Sequence, residues 1–160
     1  ADANWLKLRD QGGYTREVLS HFLYLVERLF GPARLVDSAP VYQSDPKLCE
    51  THISSTLDCS GTPVKILGSS GGAGPDRVEM TIWGSTASHR LYDWFELKVL
   101  EGGSWRPELT EYGDLRVDGF RRQLDGVAAW MSGEAHELPS ADDALSVQIL
   151  VEEMLKGYSR

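Results

Sequence analysis

Basic residues are the minority among the charges of this 160-residue chain: 16 Lys and Arg stand against 24 Asp and Glu, for a net charge of −8. The densest basic spot, Arg121-Arg122, is flanked by Asp118 and Asp125. Nucleic acid and anionic membrane are both met by concentrated Lys and Arg, so neither partner is expected. No apolar run approaches the roughly 18 residues that span a bilayer. The opening ADANWLKLRDQ lacks the pattern of a secretory signal, and a first residue other than Met fits a processed chain or a piece of a longer one. Two cysteines, Cys49 and Cys59, make no disulfide framework, which favours a reducing, cytoplasmic setting. Internal repeats are absent. So is a Gly-x-Gly-x-x-Gly that follows a strand and opens a helix; the Gly-rich tract at 68–74 has no helical pattern behind it and reads as a loop.

What is present suits one globular domain over residues 1–160. The length carries a single sizeable core, and 41% hydrophobic residues is ordinary for a soluble domain. Residues 1–11 are polar and read as a lead-in. A helix is predicted from about Tyr14 to Phe30, ended by Gly31-Pro32. Alternating or β-branched stretches at 33–44 and 47–60, parted by Asp45-Pro46, read as strands. Further strands are predicted at 64–68, 77–83 and 88–100, and the chain turns irregular after Gly102-Gly103. Helices follow at 118–131, on Phe120, Leu124, Val127, Ala128 and Met131, and at 140–156, on Leu145, Ile149, Leu150 and Leu155. Strands grouped between helices favour an α+β fold with a mostly antiparallel sheet over βαβ repeats.

The first helix carries the most chemistry. At 100° per residue, Val18, Leu19, Phe22, Leu25, Val26 and Leu29 form an apolar arc. Tyr14, Glu17, His21, Tyr24 and Arg28 form a separate stripe, spaced 3, 4, 3, 4. That spacing lets Glu17 support His21 from one turn away, and a histidine so held serves as a general acid or base near neutral pH. A solvated helix face explains the same spacing, although such faces are more often Lys, Glu and Gln than Tyr and His. Gly12-Gly13 ahead of the helix permits close approach of another chain or a cofactor.

Other groupings carry less. Cys49 and His52 sit three apart in a predicted strand and point to opposite faces, so no metal site is expected. Ser44-Asp45-Pro46-Lys47 matches a Ser-x-x-Lys pattern by chance, since Pro46 sits in a turn rather than at a helix start. Trp83, Tyr92, Trp94 and Phe95 place aromatics on late strands, as core or subunit interface. Trp105 falls in the irregular stretch, where a loop would line a site or a satellite core.

The pattern Gly-Gly-x3-Glu-x3-His, on a long helix ending Leu-Phe-Gly, resembles the start of the C-terminal domain in Gfo/Idh/MocA oxidoreductases. Gly12, Gly13 and His21 match, Glu17 stands where the family usually has Asp, and Tyr24 departs from the family's second Asp. TIWGSTASHRLYDW and LPSADDALSVQILVEEML are similar to later family segments, in the same order. The resemblance implies an α+β domain, a large and mostly antiparallel β-sheet with helices packed on one face. It implies His21 and Glu17 as catalytic residues, Tyr14, Tyr24 and Arg28 lining a small-molecule substrate of sugar, polyol or carbonyl type, and Gly12 and Gly13 beside the cofactor. It further implies NAD or NADP held mainly by an N-terminal Rossmann domain absent from these residues, no metal, and a homo-oligomer formed through the open sheet face. On this view the isolated domain is not active. A stand-alone, non-catalytic dimerising or ligand-binding module is the competing expectation, and a cofactor-independent isomerase or lyase a third.

Overall fold

The computed structural model describes residues 3–111 and 113–158, and the chain is α+β with antiparallel sheets and three α-helices. It forms two compact units, one made of the chain up to Ala73 and from Pro139 onward, the other of Gly74–Leu138. The boundaries fall in the predicted Gly-rich loop and beside Pro139, where backbone freedom is punctuated.

In the first unit, a π-turn at Thr15–Leu19 leads into α1 (Ser20–Phe30), followed by strands β1 (Ala33–Tyr42), β2 (Glu50–Cys59) and β3 (Thr62–Ser69). The three strands pair antiparallel in the order β1-β2-β3. Ile53, Ser55, Leu57 and Cys59 alternate inward along β2 and are all buried. Helix α3 (Ala141–Lys156) buries Val147, Leu150, Val151, Met154 and Leu155, the i, i+3, i+4, i+7, i+8 pattern of a core-facing helix. A capping box starts it: the Asp143 amide donates to Ser140 Oγ at 3.1 Å, and the Ser140 amide donates to Asp143 Oδ2 at 2.7 Å. The buried serines of this core are paired. Ser38 Oγ donates to the Met154 carbonyl at 2.8 Å and therefore accepts from Ser55 Oγ at 2.7 Å.

In the second unit, β4 (Glu79–Ile82), β5 (His89–Tyr92), β6 (Glu96–Glu101) and β7 (Ser104–Pro107) form an antiparallel meander, followed by α2 (Leu115–Met131). The β5–β6 hairpin turns through Asp93 (φ 46°) and Trp94 (φ 69°), the paired positive angles that match strand twist.

Several expectations need correction. The strands form two sheets of three and four rather than one large sheet. Strand β7 replaces the irregular stretch, because Gly102 and Gly103 (φ 56° and 79°) close a tight hairpin that carries Trp105 back onto β6. The lead-in is folded: Asn4–Lys7 make a 3-10 turn, and Leu8 bridges Leu48. The helix at 14–30 is not one straight α-helix. Its first turn, Thr15–Leu19, is a wide π-turn, and the buried face of α1 runs through Leu23, at 1% exposure, and Val26, while Leu29 stands 52% exposed. In α3, Leu150 and Leu155 are buried as expected, whereas Leu145 and Ile149 are exposed and Val147, Val151 and Met154 complete the inward stripe.

Candidate functional site

The proposed stripe divides where the helix begins. Glu17, in the π-turn, and His21, in the first turn of α1, both stand at the surface, as does Arg28; Tyr24 is half-buried. Tyr14 turns the other way. Its ring lies on Gly68 of β3, where an added Cβ would sit 2.5 Å from the ring edge. Burial first, then the charges of Glu50 and Cys49, raise the Tyr14 phenol well above its ordinary value, with the Ile53 backbone opposing. Among the described residues its hydroxyl has no hydrogen-bond partner, and neither does that of Thr15. Tyr14 thus belongs to the underside of the helix, apart from Glu17 and His21.

Gly12 and Gly13 are both buried. Their amides donate to the Leu8 and Leu6 carbonyls at 2.8 and 2.9 Å. A Cβ on Gly12 would collide with the carbonyl oxygens of Trp5 and Leu6, and one on Gly13 (φ 103°) would lie 2.5 Å from Glu50 Oε2. The close approach that two glycines permit is therefore made by this chain's own backbone and by Glu50. With both N–H groups already bonded, neither is available to a cofactor phosphate.

Around this entry lies a constellation that the sequence reading missed. Glu50 is 1% exposed, and its Oε1 accepts the Thr15 amide at 2.9 Å. Arg16 forks onto Glu152 of α3, Nε to Oε1 at 2.7 Å and NH2 to Oε2 at 3.0 Å, while NH1 donates to the Arg9 and Gly12 carbonyls at 2.8 Å each. That bidentate contact holds the Glu152 carboxyl below the usual range and raises the Arg16 guanidinium. Arg9 lies over the Tyr42 ring at 3.7 Å, and Tyr42 donates its hydroxyl to the Leu155 carbonyl at 2.6 Å. Arg9, Arg16, Tyr42, Glu50, Glu152 and Lys156 line a cleft of about 320 Å³.

Glu50 was hidden from sequence reasoning by a bulge. Plain alternation from Ile53 would turn Thr51 inward, but the β1–β2 register steps from Val41↔His52 to Tyr42↔Glu50. The slipped residue re-aims the carboxylate toward the core. In the second sheet, Trp83 meets Trp105 edge-on at 5.9 Å, and the Arg90 guanidinium lies 4.3 Å over Trp105. Among the described residues no three His, Cys, Asp or Glu side chains converge as a metal site, and no helix is long and apolar enough to cross a membrane.

No protein-family model and no curated protein matches the chain. Solved structures do. A dehydrogenase (MviM) from Clostridium difficile superposes with a TM-score of 0.71 at 13% identity, over 89% of this chain and 47% of that one. A biliverdin reductase from Synechocystis sp. PCC 6803, solved with biliverdin and NADP+, gives 0.67 at 15% identity, over 95% and 49%. An oxidoreductase from Thermotoga maritima gives 0.67 at 14% identity, over 97% and 47%. These neighbours are of the Gfo/Idh/MocA type, and this chain spans about half the length of each. At such identities the likeness is one of fold, the α+β fold of the family's C-terminal domain.

Proposed function

We propose that this chain is the substrate-binding and oligomerisation half of an NAD(P)-dependent oxidoreductase acting on a sugar, polyol or related carbonyl or hydroxyl compound. The observation that carries this reading is Glu17 and His21 together at the surface of the helix entry, in a fold shared with three oxidoreductases. His21 relays the proton to or from the reacting oxygen of the substrate. Glu17 orients the imidazole or bonds a substrate hydroxyl, and Tyr24 and Arg28 extend the same surface along α1. Tyr14 supports the helix from beneath. NAD or NADP, when bound, supplies the hydride acceptor or donor. The bonded amides of Gly12 and Gly13 leave this chain without a phosphate cradle at the helix entry, so the cofactor falls mainly to a dinucleotide-binding domain outside these residues. The free cysteines Cys49 and Cys59 suit a reducing, cytoplasmic setting. The aromatic face of the second sheet, with Trp83 70% exposed, suits a homo-oligomer interface.

The test is the complete reading frame. About 120–150 residues of Rossmann pattern are expected upstream of Ala1, the size of a dinucleotide-binding unit. The complete protein then binds NADH or NADPH by fluorescence titration, and the present chain alone does not. A complete reading frame without that segment, whose product binds neither nucleotide, overturns the oxidoreductase reading. It would favour a stand-alone ligand-binding module, for which the charged cleft over Tyr42 is the natural site.

A further inference from the structure

A helix entry needs acceptors for its first amides, and this one has no cap of its own. Tyr14 at the N-cap makes no side-chain cap bond, nor does Leu19 where the π-turn passes into α1. Amides left without a partner there are costly, and a wide turn is a poor helix by itself. Glu50 supplies the missing acceptor from a different element. Its carboxylate reaches across from the bulged start of β2, takes the Thr15 amide at 2.9 Å, and places a negative charge at the positive end of the helix. Gly13 makes room for it, since any side chain there would meet Oε2 at 2.5 Å. The next residue, Arg16, ties the same turn to α3 through Glu152. Two consecutive residues are thus fixed from two sides, and Glu17 is the third.

We infer that Glu50 is a positioning residue, holding the π-turn that carries Glu17 and leads directly into the first turn of α1, where His21 sits. The inference rests on the proposed role of that pair. It explains why a carboxylate is kept at 1% exposure beside a glycine with positive φ, where an apolar residue would pack at lower cost.

The test compares Glu50→Gln, which keeps an acceptor and loses the charge, with Glu50→Leu, which loses both. Amide hydrogen exchange in Glu50→Leu is expected to accelerate about tenfold over residues 15–21, while Glu50→Gln stays within about threefold. The Val151 and Met154 amides of α3 should keep their rates in both variants. In the full-length enzyme, Glu50→Leu is expected to lower kcat about tenfold with KM within about twofold. Equal acceleration at residues 15–21 and in α3, or no acceleration at all, overturns the positioning role. Should Glu50→Leu fail to fold, Glu50→Gln still decides: its Thr15 amide proton resonance moves upfield as a charged acceptor becomes neutral, and an unmoved resonance overturns the inference. A wild-type protein that oxidises no sugar or polyol with NAD or NADP removes the oxidoreductase reading alone. The exchange data then still judge Glu50.

Discussion

The two units of this chain are built to different depths. The first closes a core from three elements: β2 supplies Ile53, Leu57 and Cys59, α1 supplies Leu23 and Val26, and α3 supplies five more side chains. In the second, Val99 and Ser88 are the buried residues among those described, and α2 buries none. Val117, Phe120, Leu124, Val127, Trp130 and Met131 of α2 are all substantially exposed. The candidate catalytic pair sits on the first unit, and that is physically sensible. Chemistry needs side chains held to within fractions of an ångström, which packed elements provide and a thin meander does not. The exposed aromatics and aliphatics of the second unit suit contact with other surfaces better than catalysis.

Mutations should expose this asymmetry. Leu57→Ala, at a position with 0% exposure, is expected to cost about 3 kcal/mol in denaturant unfolding. Phe120→Ala, 62% exposed on α2, should stay within about 0.5 kcal/mol. Equal losses would erase the distinction between the units.

Gly13→Ala comes next. It places a Cβ against Glu50 in a left-handed backbone, at an expected cost of about 2 kcal/mol. The double variant Gly13→Ala with Glu50→Ala should recover part of this, because the clash goes while the backbone strain stays. Recovery of the whole loss would show that φ at Gly13 is irrelevant.

Arg16→Gln should have a smaller effect. The Glu152 side chain is 38% exposed, and solvent screening keeps such a pair near about 1 kcal/mol. Its signature lies in pH. Arg16 depresses the folded Glu152 carboxyl below its unfolded value, so the stabilisation is complete above about pH 4.5 and lost as pH falls through the folded value. Arg16→Gln should flatten that acid limb; an unaltered limb would assign it to other carboxylates.

Tyr14→Phe is the mildest change. The folded phenol titrates above its unfolded value of 10.0. The unfolded chain therefore releases its proton first, and stability falls as pH rises above about 10. Removing a buried hydroxyl without a partner should leave neutral-pH stability equal or slightly raised and make the alkaline limb shallower. A loss above about 1 kcal/mol at neutral pH would mean that the hydroxyl is bonded after all.

Much of this organisation was legible in the sequence. Helix ends were marked by Gly31-Pro32 and by the Ser140 box, and the long strands by alternation. Local spacing placed Glu17 and His21 one turn apart, because both lie on one continuous helical segment, and their catalytic role came from the family resemblance. What escaped was set by geometry that spacing rules do not carry. The packing of α1 put Leu23 in the core and left Leu29 outside it. A bulge at Thr51 aimed Glu50 inward, where plain alternation would leave it outside. Arg16 and Glu152 are 136 residues apart, and nothing local pairs them. Strand β7 was missed because Gly102-Gly103 reads equally as a hairpin and as a break. The candidate pair could thus be named from the sequence, and the contacts of Glu50, Arg16 and Glu152 beside it could not.

The most direct test of the central claim is NAD(P)-linked turnover of the full-length protein at 340 nm on a panel of sugars and polyols, wild type against His21→Ala. Loss of a positioned acid or base should lower kcat about a hundredfold or more, with the variant folded and nucleotide binding intact. Turnover of His21→Ala equal to wild type on every accepted substrate would contradict the account and remove His21 from the reaction.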